Sequence, residues 1–319
     1  MHLARSFDRV VSIEPDELLA QLAAFNMRVL GVSNIDVRHT TAENFVGDYE
    51  GPPFDLAYVD PDRRDESGKR KYGLAEGSPD IVALAPALLA MAKTVLVKAS
   101  PMCDLTEGAR LLPDVRRAIV LADSTECKEV LFELRTDDAL SGESHSREAR
   151  FLYNGERFAF QEPERKPPAR PVSGSPSAAS GSATPLLESA PDSGRLLEPN
   201  VSLYKAGLVD AYFNEACPFP DARATSAGGY LWTPARPAPG SFPGKVFRIE
   251  ASFPYKTGPL RAALRERGVT AAHFTRKNFD LRLEDVRRSL RLREGGDRFL
   301  VLTRLRGGDR YAFLAALES

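Results

Sequence analysis

The sequence predicts an α/β fold, a doubly wound and mostly parallel sheet, followed by a smaller α+β unit. Three observations carry that expectation. Up to residue 162, short apolar runs alternate with segments of helical periodicity, the pattern of repeated βα units. A Pro/Ser/Ala/Gly tract from Pro163 to about Asp192 then offers almost no large apolar side chains and predicts a disordered linker. From Lys245 the periodicity resumes as two βα units and a hairpin, enough for a small sandwich.

The elements follow in order. Arg9–Glu14 reads as a short strand ending in an acid. Pro15–Leu30 is a helix with apolar Leu18, Leu22, Phe25, Met27 and Leu30, and Gly31 suits its C-cap. Strands are predicted at Ile35–Arg38, Asp55–Val59, Thr94–Lys98, Ala118–Leu121 and Val130–Arg135, with a helix at Ile81–Ala92. Phe151–Phe160 forms a hairpin around Asn154-Gly155, a type I′ turn signal. Beyond the linker Leu197–Asn214 reads as helical and Tyr230–Trp232 as a strand. The last segment gives strand Val246–Phe253, helix Pro259–Arg267, strand Thr270–Phe274, helix Leu283–Arg291, and strands Phe299–Leu305 and Tyr311–Leu314. The resulting boundaries are 1–162, a linker at 163–195, a partly irregular region at 196–244 and a compact domain at 245–319.

Composition narrows the function classes. At 319 residues, 43% hydrophobic and 27% charged, the chain has the balance of a globular protein. No apolar run reaches the roughly 18 residues of a membrane helix, and Met1–Arg9 has no signal-peptide core. Cys103, Cys127 and Cys217 are scattered, as are the four histidines, so neither a disulfide framework nor a metal-ligand spacing emerges. A cytoplasmic, metal-free protein is expected. The net charge of −1 conceals a division: residues 245–319 carry 17 Lys and Arg against 9 Asp and Glu, and the remainder 26 against 35. A basic module on an acidic one suits a polyanion partner; a solvated Arg-rich surface is the plainer reading.

The chemistry-bearing residues sit where strands end. In Phe54–Arg64 (FDLAYVDPDRR) an apolar strand breaks at Asp60-Pro61 into the charges Asp62, Arg63, Arg64, Asp65 and Glu66. Pro61 has no N–H and fixes φ, so the strand stops there. Asp60 then lies at the carboxyl end of a strand, where open α/β sheets place ligands, and can accept from an amine or a ribose hydroxyl. The plainer reading is a strand exit followed by a solvated charge run. Glu14, at another strand end, is placed to accept from ribose hydroxyls, or is simply an acid near a helix N-terminus. Arg38 with Thr40-Thr41-Ala42-Glu43 makes a third strand end. Lys98 and Ser100-Pro101 close a fourth, on the edge of Asp60, where they line the substrate side or are simply the turn after a buried strand. In the basic segment Arg276-Lys277-Asn278-Phe279 combines cations, an amide and a ring, a plausible RNA contact; alternatively Phe279 is core and the cations flank it. Arg287, Arg288, Arg291 and Arg293 extend a basic face on one predicted helix, or form its solvated side.

These segments together resemble a known family. YVDPDRR (58–64), LVKASPMCDL (96–105), EPNVSLYKAGLVDAYF (198–213), FPGKVFRI (242–249), RKNF (276–279) and EGGDRFLVLTRL (294–305) are similar to class I S-adenosylmethionine-dependent methyltransferases. The likeness is to the bacterial group with a ferredoxin-like insert and a carboxyl-terminal THUMP-like domain. It implies an incomplete Rossmann-like methyltransferase sheet, a ferredoxin-like region at 196–244 and a basic THUMP-like domain at 245–319. It further implies that Glu14 binds the ribose of S-adenosylmethionine and that Thr41-Ala42 lie beside the adenine. Asp60-Pro61 would face the transferred methyl, and Arg276, Lys277 and Asn278 would belong to the module that faces an RNA, tRNA or rRNA, with Lys98 on the substrate side by its place at a strand end.

Two departures qualify the resemblance. Relatives that modify exocyclic amines follow Asp-Pro with Pro and an aromatic that stacks on a flipped base; here Asp62-Arg63 stand there, so the stacking role has no bearer. The glycine-rich loop that cradles the cofactor's aminocarboxylate is also missing: MHLARSFDRVVSIE corresponds to the end of the helix after that loop. The resemblance therefore implies an N-terminally truncated and impaired enzyme, a degenerate methyltransferase kept for RNA binding, or a strand borrowed from a partner chain. In each case a slot between Arg9–Glu14 and Asp55–Val59 predicts self-association through an exposed sheet edge.

Overall fold

The computed structural model describes residues 2–62, 74–136, 146–153, 156–162, 184–238 and 242–318. The chain separates into two units, Met1–Ile119 with Glu129–His145, and Val120–Lys128 with Ser146–Ser319. In chain order the first elements are β1 (Val10–Glu14), α1 (Glu17–Val29), β2 (Ile35–His39), α2 (Ala42–Gly47), β3 (Ala57–Val59) and α3 (Ile81–Met91). They are followed by β4 (Val95–Ala99), α4 (Leu105–Leu111), β5 (Val115–Ala122) and β6 (Cys127–Leu134).

Local chemistry starts and stops these elements. Asp16 caps α1, its carboxylate accepting the Leu19 N–H at 2.9 Å, so Pro15 precedes the helix instead of opening it. Asp80 caps α3 by accepting from Val82 and Ala83 N–H groups. That helix is apolar nearly all round and buries Ile81, Leu84, Ala85, Leu88 and Leu89. Gly108 in α4 is required by packing: a Cβ there would stand 2.2 Å from the Phe132 ring.

Two sheets result. β1 and β2 pair in parallel, from Val10 opposite Ile35 to Glu14 opposite His39, and form a sheet of their own. β3, β4, β6 and β5 run in that order in a second sheet. β3 and β4 are parallel, but β6 lies antiparallel to β4, from Val95 opposite Leu134 to Ala99 opposite Val130. The expectation of a mostly parallel sheet is thus corrected to a mixed one: the short connection between β5 and β6, Asp123–Glu126, leaves no room for a crossover helix. Among the described residues β1 and β3 each have one strand partner and one open edge. The helix α1 turns Leu18, Leu22, Phe25 and Val29 outward, at 64%, 47%, 54% and 68% exposure, an apolar stripe at helical spacing.

The second unit holds β7 (Ser146–Tyr153), β8 (Glu156–Gln161), β9 (Arg195–Pro199), α5 (Val201–Ala206), α6 (Val209–Glu215), β10 (Arg223–Ala224) and β11 (Leu231–Thr233). After these come β12 (Gly244–Pro254), α7 (Thr257–Glu266), β13 (Ala271–Arg276), α8 (Leu283–Leu290), β14 (Arg293–Arg304) and β15 (Arg310–Glu318). β7 and β8 pair antiparallel up to Tyr153 opposite Glu156; the predicted turn residues Asn154-Gly155 lie outside the described residues. The remaining strands form a seven-stranded sheet in the order β10-β11-β9-β12-β15-β14-β13.

Its two faces follow the alternation of each strand. Leu300, Leu302, Ala312 and Leu314 point to one side, under Leu260 and Leu264 of α7 and Val286 and Leu290 of α8. Val301, Phe313 and Ala315 point to the other, with Leu196, Tyr230, Phe247 and Ile249.

Three expectations change here. Leu197–Asn214 is not one helix: Arg195–Pro199 is a strand with Leu196 and Leu197 fully buried, and Gly207, at φ 68°, separates α5 from α6. Residues 184–195, placed in the linker by composition, include buried Leu187, whose N–H bonds the Ala224 carbonyl at 2.9 Å. Finally, Arg291 and Arg293 are not on the helix. Arg291 is the left-handed cap of α8, at φ 58°, and Arg293 opens β14.

Candidate functional site

The first candidate lies at the carboxyl ends of β1 and β2. Glu14 is half-buried, and its Oε1 accepts the Asp16 N–H at 2.9 Å. Its Oε2 has no partner among the described residues. The Thr40 N–H donates to the Glu14 carbonyl at 3.2 Å, which ties the exit of β2 to the end of β1. Thr41 caps α2, its Oγ1 accepting the Asn44 N–H at 3.2 Å, and Ala42 is the first residue of that helix. Arg38 is held on its own element, paired with Asp36 at 3.1 Å and with its guanidinium 5.6 Å from the Phe45 ring. A carboxylate with one oxygen spare, next to a helix start, can accept a hydrogen bond from a hydroxyl or an amine.

The second candidate surrounds Asp60. Val59 registers opposite Val97, so Asp60, immediately after β3, comes level with Lys98 near the end of β4. The Lys98 Nζ donates to Asp60 Oδ2 at 2.9 Å and lies 3.3 Å from Glu129 Oε1 on β6. Lys98 is 20% exposed and Asp60 45%, so the ammonium is partly covered while the carboxylate still faces solvent. The hydrogen bond to Asp60 holds Lys98 above its ordinary pKa, against the opposing effect of burial. Burial and the Asp60 charge push the Tyr58 phenol up. Pro61 is buried, and the loop after it is pinned by Asp62 and Ser78, whose backbones exchange two hydrogen bonds of 2.9 Å. Arg63, Arg64, Asp65 and Glu66 lie outside the described residues.

Glu129 was not singled out from the sequence. The signal that finds it is the antiparallel placement of β6, which brings its first residues to the end of β4. The structure therefore gathers Asp60, Lys98 and Glu129, and separately joins Glu14 to Thr40-Thr41. Among the described residues no strand pairing or hydrogen bond links the two groups.

The RKNF turn is used internally. Phe279 is 5% exposed and meets the Tyr255 ring edge-on at 5.1 Å. Arg276 donates from Nη1 to the carbonyls of Phe279 and Leu281, at 2.9 and 2.5 Å. The Lys277 Nζ sits 3.5 Å from the centre of the Tyr204 ring and 3.1 Å from Glu198 Oε1. Asn278, at φ 52°, donates through Nδ2 to Ser226 Oγ and the Ala227 carbonyl.

Comparison with known proteins adds to this geometry. The model of the family described as THUMP domain-like matches residues 244–316, which are β12 through most of β15. The chain ends in a THUMP-like domain. It contains the Arg276–Phe279 turn and the helices α7 and α8. A crystal structure from Porphyromonas gingivalis W83, of a protein named provisionally as a methyltransferase, superposes with a TM-score of 0.77 at 22% identity. The match covers 99% of this chain and 73% of that one. No curated protein matches. The predicted fold class, an α/β sheet followed by a small α+β THUMP-like domain, is what the chain adopts. Among the described residues no helix is long and apolar enough to cross a membrane, and no three metal-ligating side chains cluster.

Proposed function

We propose that the chain is a cytoplasmic S-adenosylmethionine-dependent methyltransferase acting on RNA, with the THUMP-like domain presenting the substrate. The observation that carries the reading is Asp60: a strand-end carboxylate engaged by Lys98 through one oxygen and open to solvent on the other side. The fold shared with the Porphyromonas protein and the THUMP-like domain support it.

When bound, S-adenosylmethionine supplies an electrophilic methyl carried on a sulfonium. Glu14 would accept from the ribose hydroxyls through its spare Oε2, and Thr41-Ala42 would flank the adenine. Asp60 would accept an N–H or O–H of the substrate through Oδ1 and so aim the nucleophile's lone pair. It attacks nothing itself, because methyl transfer rests on positioning. Lys98, tethered between Asp60 and Glu129, would act as a positioning residue that fixes the carboxylate's rotamer.

Transfer of tritium from methyl-labelled S-adenosylmethionine to total cellular RNA tests the proposal. Incorporation that disappears in Asp60→Ala is expected. RNA binding without incorporation at millimolar cofactor would favour a non-catalytic RNA-binding protein. Self-association through the open edges of β1 and β3 belongs to the same proposal, and a monomer throughout a sedimentation-velocity concentration series would remove it.

A further inference from the structure

The arginines of the THUMP-like domain fall into two sets. Four on its strands are paired: Arg248 and Arg298 share Glu250, and Arg304 and Arg310 share Asp280. On the helical layer Arg288 pairs with Asp285 at 3.7 Å and Arg267 donates to the Ala263 carbonyl, but six other arginines there or just after it have no ion partner among the described residues. Arg261 and Arg265 on α7, Arg282 and Arg287 at the start and in the last turn of α8, and Arg291 and Arg293 just after it are all exposed. None of the six has a side-chain partner among the described residues. Only two acids without an ion partner, Glu266 and Glu284, share these helices with them.

Spacing makes the contrast sharper. Arg261 and Arg265 are four residues apart on one flank of α7, about 6 Å apart along the axis, and Arg287 lies in the last turn of α8 with Arg291 at its left-handed cap. Like charges at that spacing repel, and no ion pair within 4 Å offsets them among the described residues. α7 and α8 pack over the same apolar cluster through Leu260, Leu264, Val286 and Leu290, so both flanks belong to one layer. The six positions are all arginine. Its planar fork grips a phosphate through two hydrogen bonds, which lysine does not match.

We propose that the outer surface of α7 and α8, and not the Arg276–Phe279 turn, is where the THUMP-like domain grips the phosphate backbone of a structured RNA. The proposal rests on the reading of RNA as substrate. The cations first singled out in the turn are spent on carbonyls, a carboxylate and a ring, so the free positive charge lies one layer away.

The test uses the full chain and a fluorescently labelled RNA hairpin, with anisotropy titrations over a range of salt. The double variant Arg265→Gln/Arg287→Gln should lower the slope of log K against log salt by about 1 for each arginine removed. The control Arg248→Gln/Arg298→Gln removes the same charge from the sheet and should leave the slope unchanged. Equal losses in both, or no loss in the helical variant while the wild-type chain binds, overturn the assignment. Tighter binding to phosphatidylserine vesicles than to the hairpin overturns RNA as the occupant. Failure of the wild-type chain to bind the hairpin at low salt instead removes the RNA reading itself.

Discussion

Asp60 and the Arg276–Phe279 turn look alike in the sequence, each a cluster of charge at the end of a strand, yet the structure treats them in opposite ways. At Asp60 one cation holds one oxygen and the carboxylate stays 45% exposed. In the turn the side chains of Arg276, Lys277 and Asn278 each meet a partner within the chain, and Phe279 is buried. A charged motif is a candidate site only where folding leaves some of its valence unused. By that measure Asp60 and the arginines of α7 and α8 qualify, while the side chains of the turn already have partners within the chain.

The largest way to break the comparison is Phe279→Ala. If the ring is core, thermal or denaturant unfolding should show a loss of about 3–5 kcal/mol; a loss below about 1 kcal/mol would return the turn to the surface. Asp60→Ala should behave conversely. Its ion pair with Lys98 is partly solvated, so stability should change by about 0–1 kcal/mol. Methyl transfer, measured by tritium incorporation, should fall by about 10²-fold or more. Lys98→Met should follow Asp60→Ala in activity while leaving RNA affinity intact, which a direct substrate-binding role for Lys98 would not do.

Asn278→Ala comes next. It removes two hydrogen bonds and leaves an ordinary residue in the left-handed region, a cost of about 2 kcal/mol by denaturant titration.

The smallest effect is a pH dependence. Asp280, beside the turn, is held well below the usual carboxylate range by the Arg310 and Arg304 guanidiniums. A carboxylate with a depressed folded pKa contributes stability above its unfolded value, about 4, and loses it as pH falls through the folded value. The melting temperature should therefore decline from about pH 4 downward, and Asp280→Asn should flatten part of that decline.

The sequence carried the element types well because the signals were local. Asp-Pro ends β3, Gly31 follows α1, and the short apolar runs Phe299–Leu305 and Tyr311–Leu314 are strands of the carboxyl-terminal sheet. It misjudged what depends on distant partners. Leu197 lies in a helix-like run but pairs with Val246 across β9 and β12. Leu187 sits in a tract of linker composition yet finds Ala224. The candidate site divides in the same way. Glu14, Asp60 and Lys98 could be chosen because strand ends are visible in sequence. Glu129 could not, since its place beside Lys98 follows from the antiparallel entry of β6. Nor could the fate of Lys277 and Asn278, which is decided by Glu198, Tyr204 and Ser226 from distant elements.

The central claim is that the strand ends around Glu14 and Asp60 form a cofactor site. Isothermal titration of the folded chain with S-adenosylmethionine tests it most directly, with Glu14→Ala as the comparison. Saturable heat at millimolar or lower concentration that is lost in Glu14→Ala is the predicted result. No heat from a chain that unfolds cooperatively, or equal binding by Glu14→Ala, would contradict it.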